Sequence, residues 1–289
     1  MQKKNVSQPS TPLICDPLCA ETEPPAPAGE AFRELSRVDR RALVKAATLA
    51  PFAHILASPT LAAARASTLE EVSLTLPGGR VVKAALAMPE VTPAPGIVAI
   101  HEWWGLNDQI KAATAEYANR GYVALAVDLY DGEVATDASE ARKLTQAVDA
   151  ALANETLTGW ANWLTAQSFT TEKRGSVGWC FGGGWSLNLG VAAPMDATVV
   201  YYGRVSKEAE ELKSLKGPVL GHFATRDRFI NEDMVGGFVS EMEKAKRQVT
   251  AHWYEADHGF ANPTSARYDQ TDAETAWKRT IGFFDAYLK

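Results

Sequence analysis

The chain has 289 residues, 46% hydrophobic and 22% charged, the profile of an ordinary globular protein with room for one large α/β domain plus an extension. Its formal net charge of −6 gives no electrostatic reason to expect nucleic acid or an anionic membrane surface as a partner. Of its three cysteines, Cys15 and Cys19 lie in a polar leader without the neighbours a metal site needs, and Cys180 alone lies in the body of the chain, which excludes an internal disulfide there.

Residues 1–30 are rich in Ser, Thr and Pro and poor in large apolar side chains, the composition of a disordered segment. Arg40-Arg41, a mostly apolar stretch from Ala46 to Ala57 and the small-residue ending Ala64-Arg65-Ala66 follow in the order of a twin-arginine export signal. On this reading residues 1–66 are leader and export signal, and the mature protein is a single domain over 67–289, periplasmic and without stable membrane association after export. The alternative is an amphipathic helix over Phe32–Leu56, docked on the domain of a cytoplasmic protein.

From Leu69 onward strands and helices alternate. Val72–Leu76, the turn Pro77-Gly78-Gly79 and Val81–Met88 predict a β-hairpin. Gly96–Ile100 predicts a buried strand, Gln109–Arg120 a helix and Tyr122–Val127 another strand. Asp137–Ala166 predicts a helix in two parts, broken near Asn154 or Gly159. Strands are expected over Arg174–Gly178, Ala197–Tyr202, Pro218–Phe223 and Val249–Tyr254, with helices at Gly182–Ala192, Lys207–Leu215, Asn231–Ala245 and Asp272–Leu288. The alternation predicts an α/β fold: a mostly parallel twisted sheet with helices on both faces and a ligand crevice outside the strand carboxyl ends.

The chemistry sits at those ends. Gly178-Trp179-Cys180-Phe181-Gly182 is a Gly-x-Cys-x-Gly turn from strand to helix, the layout of a nucleophile elbow. A cysteine at a helix start faces unpaired backbone N–H groups and the positive end of the helix dipole, which favour thiolate and can hold an oxyanion. For such a turn alone, a buried core cysteine is the commoner reading. Asp227 lies 47 residues on and His258 a further 31, each after an apolar run, and nucleophile, acid, histidine is the order an α/β-hydrolase requires. Glu102 follows the strand ending at Ile100, so Glu102, Cys180, Asp227 and His258 are expected in one crevice. His101 and His222 lack the required spacing from Cys180 and are expected to be structural. Neither a Gly-x-Gly-x-x-Gly nor a clustered histidine set is present, so no organic cofactor and no metal is expected.

At Gly178–Gly183, Arg226-Asp227, Asp257–Phe260, His101–Asn107 and Tyr201-Tyr202-Gly203 the chain resembles the dienelactone hydrolase family, α/β-hydrolases with a Cys-Asp-His triad, over roughly Leu69 to Lys289. The resemblance implies Cys180 as nucleophile, His258 as proton shuttle, Asp227 as its orienting acid and Glu102 as a carboxylate beside the resting thiol. The oxyanion is expected on the backbone N–H groups of Phe181, just after the nucleophile, and Trp103, in the loop after the earlier strand. Trp104, Tyr130, Tyr202 and Phe260 are candidates for binding substrate. Where the family's two substrate-gripping arginines stand, this chain has Gly132 and Asn262, so a neutral substrate is expected unless Arg204 or Arg226 takes over the anchor. The expected activity is hydrolysis of a small ester or lactone through an acyl-enzyme, by a monomer or small homo-oligomer. A thioesterase or acyltransferase with the same triad, and a non-catalytic ligand-binding relative, are the alternatives.

Overall fold

The computed structural model describes residues 32–49 and 58–289. The segment over 1–30, both leader cysteines and residues 50–57 of the apolar stretch lie outside the described residues.

β1 (Glu70–Thr75) and β2 (Val81–Ala87) form the expected hairpin, followed by β3 (Ala94–Ile100), β4 (Val123–Val127), β5 (Thr170–Trp179), β6 (Ala197–Tyr201), β7 (Val219–Ala224) and β8 (Val249–Tyr254). They form one sheet in the order β1-β2-β4-β3-β5-β6-β7-β8. β1–β2 and β2–β4 pair antiparallel and every other neighbour pairs parallel. Every residue of β3, β4, β6 and β7 is buried, as their largely apolar sequences require of parallel strands covered on both faces. The edge strand β1 alternates between exposed and half-buried residues.

The helices are α1 (Arg37–Leu49), α2 (Pro59–Ala66), α3 (Asp108–Asn119), α4 (Ala138–Ala147), α5 (Ala150–Thr165), α6 (Phe181–Ala192), α7 (Ala209–Leu212), α8 (Glu232–Lys244) and α9 (Gln270–Leu288). Asn and Asp side chains start most of those that follow a strand. Asn107 accepts from Ile110 N, Asn231 from Met234 N and Asp269 from Asp272 N, each meeting one of the donors a first turn leaves orphaned. The break expected near Asn154 or Gly159 lies instead at Val148-Asp149. Asp149 caps α5 by accepting from Ala151 N and Leu152 N, and Asn154 and Gly159 are both interior to that helix. Gly159 is there because a Cβ would stand 2.5 Å from Leu76 of the hairpin.

α3 packs on β4 and β2, α5 and α6 on β5 and β3, and α9 on β5, β6 and β7. Ahead of the sheet, α1 packs on α2 and α2 on α3. Phe32, Ala63 and Ala64 form a small cluster with Leu43 and Val44, and Arg65 Nη2 donates to Ala115 O of α3 at 3.3 Å. Among the described residues no helix is long and apolar enough to cross a membrane.

Candidate active site

Cys180 sits where β5 gives way to α6, with φ 54° and ψ −116°, a backbone conformation that costs a non-glycine residue energy and must be over-determined by its surroundings. Two glycines impose it. A Cβ at Gly178 would stand 2.0 Å from Gly182 O, and one at Gly182 would stand 2.2 Å from Ile100 O, so the turn closes only with hydrogen at both positions. Cys180 N–H donates to Tyr201 O at 3.0 Å, which ties the turn to β6. α6 differs from its neighbours in having no side-chain cap, so Phe181, its first residue, carries an N–H with no place in the helix ladder. Trp103 lies in the turn after β3, buried against Trp104 with ring centroids 4.8 Å apart.

The imidazole of His258 connects the thiol to a buried carboxylate. Its Nε2 lies 3.2 Å from Cys180 Sγ and its Nδ1 2.6 Å from Asp227 Oδ2. The other carboxylate oxygen of Asp227 accepts from Phe229 N at 2.9 Å and Ile230 N at 3.1 Å, which fixes the acid and aims it at the ring. Burial raises the Asp227 carboxyl, but the His258 hydrogen bond and charge and these two backbone donors outweigh it and hold the group below the usual carboxylate range. Burial likewise opposes charge on His258, yet Cys180 and Asp227 together lift the imidazole well above its ordinary value. Asp227 follows β7 and His258 follows β8, as the apolar runs before them predict.

Glu102 is the second buried acid. Its Oε1 accepts from Tyr202 OH at 3.2 Å and its Oε2 from Asn262 Nδ2 at 2.6 Å. Burial, and after it the nearby Cys180, raise the carboxyl from 4.5 to about 7, against the opposing effects of His258, Asn262 and Tyr202. Asn262 is 4% exposed, and its Oδ1 accepts from Thr264 N and Oγ1 at 2.9 and 2.7 Å. At the sequence level Asn262 marks a missing substrate anchor; in the fold it is the residue that holds Glu102. The only signal for it is its place four residues after His258.

The cleft is lined by Glu102, Trp103, Trp104, Cys180, His258, Gly259, Asn262 and Ser265. Of the four candidates for binding substrate, Trp104 alone belongs to that lining. Tyr130 lies outside it: its ring packs on His101 and Phe181 and its hydroxyl pairs with Thr145. Phe260 also lies outside it, fully buried against Tyr202 and Tyr254. Tyr202 reaches the site only through Glu102 and the edge of the His258 ring.

Neither arginine takes over the anchor. Arg226 donates to Glu255 O and pairs with Asp257 at 3.8 Å, and Arg204 is exposed outside the lining. Gly132 has φ +96° and donates its N–H to Asp128 Oδ2 at 2.5 Å, a conformation in which any side chain is strained. His101 is buried, with Nε2 accepting from Leu129 N at 3.1 Å and Nδ1 2.6 Å from Glu102 O; burial keeps it neutral, and it orders the loop. Among the described residues no group of three or more His, Cys, Asp or Glu side chains is arranged to hold a metal ion.

Residues 82–288 match the model of the dienelactone hydrolase family. The carboxymethylenebutenolidase of Pseudomonas putida is 28% identical over 225 residues, covering 74% of this chain and 95% of that protein. Protein usf of Aquifex pyrophilus is 31% identical, covering 67% of this chain and 89% of its own. A Klebsiella pneumoniae structure assigned to the dienelactone hydrolases superposes with a TM-score of 0.69 at 25% identity, over 76% of this chain and 99% of that one.

Proposed function

The chain belongs to the dienelactone hydrolase family, and from this premise we propose that it hydrolyses small neutral carboxylic esters or lactones through a thioester on Cys180. The observation that carries the proposal is the single imidazole of His258 within hydrogen-bond reach of both Cys180 Sγ and Asp227. His258 Nε2 holds the proton given up by the thiol when the sulfur attacks the carbonyl carbon, and the imidazolium is stabilised by the Asp227 carboxylate. The tetrahedral oxyanion rests on the backbone N–H groups of Phe181 and Trp103. Its collapse expels the alcohol, which leaves with the proton from His258. Water, deprotonated by the same imidazole, then attacks the thioester carbonyl and releases the acid and the free thiol.

The neutral substrate class follows from the lining, which holds one carboxylate, Glu102, and no lysine or arginine. A substrate carboxylate in this cleft would face Glu102 and lack a bidentate partner.

The deciding experiment compares wild type with Cys180→Ala on p-nitrophenyl acetate and on a pair of lactones that differ only by a carboxylate. Cys180→Ala should lose ~10³-fold or more in kcat/KM with its fold intact. Iodoacetamide should inactivate the wild type with the label on Cys180 by peptide mapping, and Cys180→Ser should retain weak turnover. The neutral lactone should be preferred by about tenfold or more. Substantial turnover by Cys180→Ala removes the nucleophile assignment, and preference for the carboxylate lactone removes the substrate class.

A further inference from the structure

A second cavity lies beside the catalytic cleft and takes no part in the proposed hydrolysis. It is partly open to solvent. Its walls are aromatic and aliphatic: Trp179 and Tyr201 at the ends of β5 and β6, Ile110 and Ala113 from α3, and Tyr268 and Trp277 before and within α9. Two pairs of consecutive residues, Trp179-Cys180 and Ala261-Asn262, each give the first member to this cavity and the second to the catalytic cleft. The two spaces therefore share a wall.

The cavity contains polar features that packing alone leaves unexplained. Gln109 lines it, is 8% exposed, and its Oε1 has no hydrogen-bond partner among the described residues. A buried acceptor without a donor is unfavourable, and water or a ligand group is what ordinarily meets it. Glu274, also in the lining, is an exposed side chain whose Oε1 accepts from Gln270 at 3.0 Å, so the mouth carries negative charge. Flat aromatic walls select a ring, an orphan acceptor selects a donor on that ring, and the mouth carboxylate disfavours an anion.

We propose that this cavity binds a single aromatic ring carrying a hydrogen-bond donor, a phenol or an aromatic amine, with the ring among Trp179, Tyr201 and Trp277 and its donor on Gln109 Oε1. The site is distinct from the hydrolytic cleft, and its occupancy does not depend on the reaction there.

The test uses the full chain as Cys180→Ala, so that binding is read apart from any hydrolysis, with phenol, toluene and benzoate as probes. Affinity is followed by calorimetry and by the fluorescence of the tryptophans that line the cavity. Phenol should bind about tenfold tighter than toluene, the ratio one added hydrogen bond supplies, and benzoate should bind at least as weakly as toluene. Gln109→Leu should abolish the preference for phenol while leaving toluene binding in place. Ala273→Trp, a substitution at the partly exposed rim, should weaken both ligands tenfold or more by filling the space. If Gln109→Leu fails to fold, the phenol-to-toluene ratio in the parent and the Ala273→Trp effect still decide. Equal binding of phenol and toluene, tighter binding of benzoate, or phenol binding unchanged by both substitutions would overturn the proposal.

Discussion

Glu102 is more weakly acidic in the folded protein than in the unfolded chain, which gives a signed pH effect. Between about 4.5 and about 7 the folded state keeps a proton on Glu102 that the unfolded chain has lost. The unfolded state binds fewer protons across that window, so this group's contribution to stability falls as pH rises through it and is level above. Glu102→Gln removes the titration while an amide still suits Asn262 and Tyr202. Its stability relative to wild type should therefore climb between pH 5 and pH 7 by on the order of 1–3 kcal/mol, read from paired thermal melts. Above about pH 7 the same substitution removes a negative charge beside Cys180, so alkylation of the thiol by iodoacetamide should be faster there than in wild type and converge with it at lower pH, where Glu102 is neutral. Melting curves that keep a constant offset from pH 5 to pH 8 would show that Glu102 does not titrate there. Asp227→Asn is the companion case: it leaves the shape of the acid but reverses what it can offer His258 Nδ1, and kcat should fall by ~10²–10⁴ with little change in KM. Cys180, Asp227 and His258 are legible in the sequence because their chemistry needs a fixed order at strand ends. Asn262 is not, since nothing in a lone asparagine four residues past a histidine says that its amide points back at a glutamate 160 positions away.

At the level of elements, what the sequence reveals depends on whether the signal is local. The largely apolar strands and the Asn and Asp caps at Asn107, Asn231 and Asp269 are local, and the elements they mark fall within two residues of expectation. The α4–α5 break is local too, but its signal is the cap Asp149; Gly159, which reads as a breaker, is in the helix for a reason 83 residues away in the hairpin. Asp149→Ala should cost about 1 kcal/mol in denaturant titrations and leave kcat/KM unchanged, because it uncaps α5 without touching the cleft. A cost below measurement would mean that packing of α5 on β5 and β3 fixes its start unaided. The elbow is the opposite kind of element. Gly178→Ala brings a methyl to 2.0 Å from backbone, where nothing flexible can yield, and the variant should be insoluble or lose more than ~3 kcal/mol along with all activity. Arginines placed at positions 132 and 262 would not be a simple graft. Position 132 is left-handed backbone, and Asn262→Arg would replace the amide that holds Glu102.

At the scale of the whole molecule, the export signal and the docked helix make opposite demands on the same residues ahead of β1. We infer export from the order of Arg40-Arg41, the apolar stretch and Ala64-Arg65-Ala66. The proposed cleavage site lies in α2, with Ala64 fully buried and the Arg65 guanidinium on Ala115 O, so a peptidase reaches it only after α2 leaves α3. Twin-arginine export carries folded proteins, and α2 is held on α3 by Ala62 in the main core, by the small cluster around Phe32, Ala63 and Ala64 and by the Arg65 hydrogen bond, so cleavage needs a local opening of this helix pair. Two consequences separate the readings. A chain limited to residues 67–289 should fold and hydrolyse esters with unchanged kcat, since no residue of the cleft precedes Glu102, but should be less stable by on the order of 1–3 kcal/mol for the apolar surface of α3 it uncovers. In the native host, Arg40→Lys with Arg41→Lys should leave full-length protein in the cytoplasm, while the unaltered gene yields periplasmic protein whose N-terminus lies near Ser67. Native protein recovered from the cytoplasm with the α1–α2 pair still attached would make that pair a permanent part of the fold, and the twin arginines two ordinary surface charges on α1.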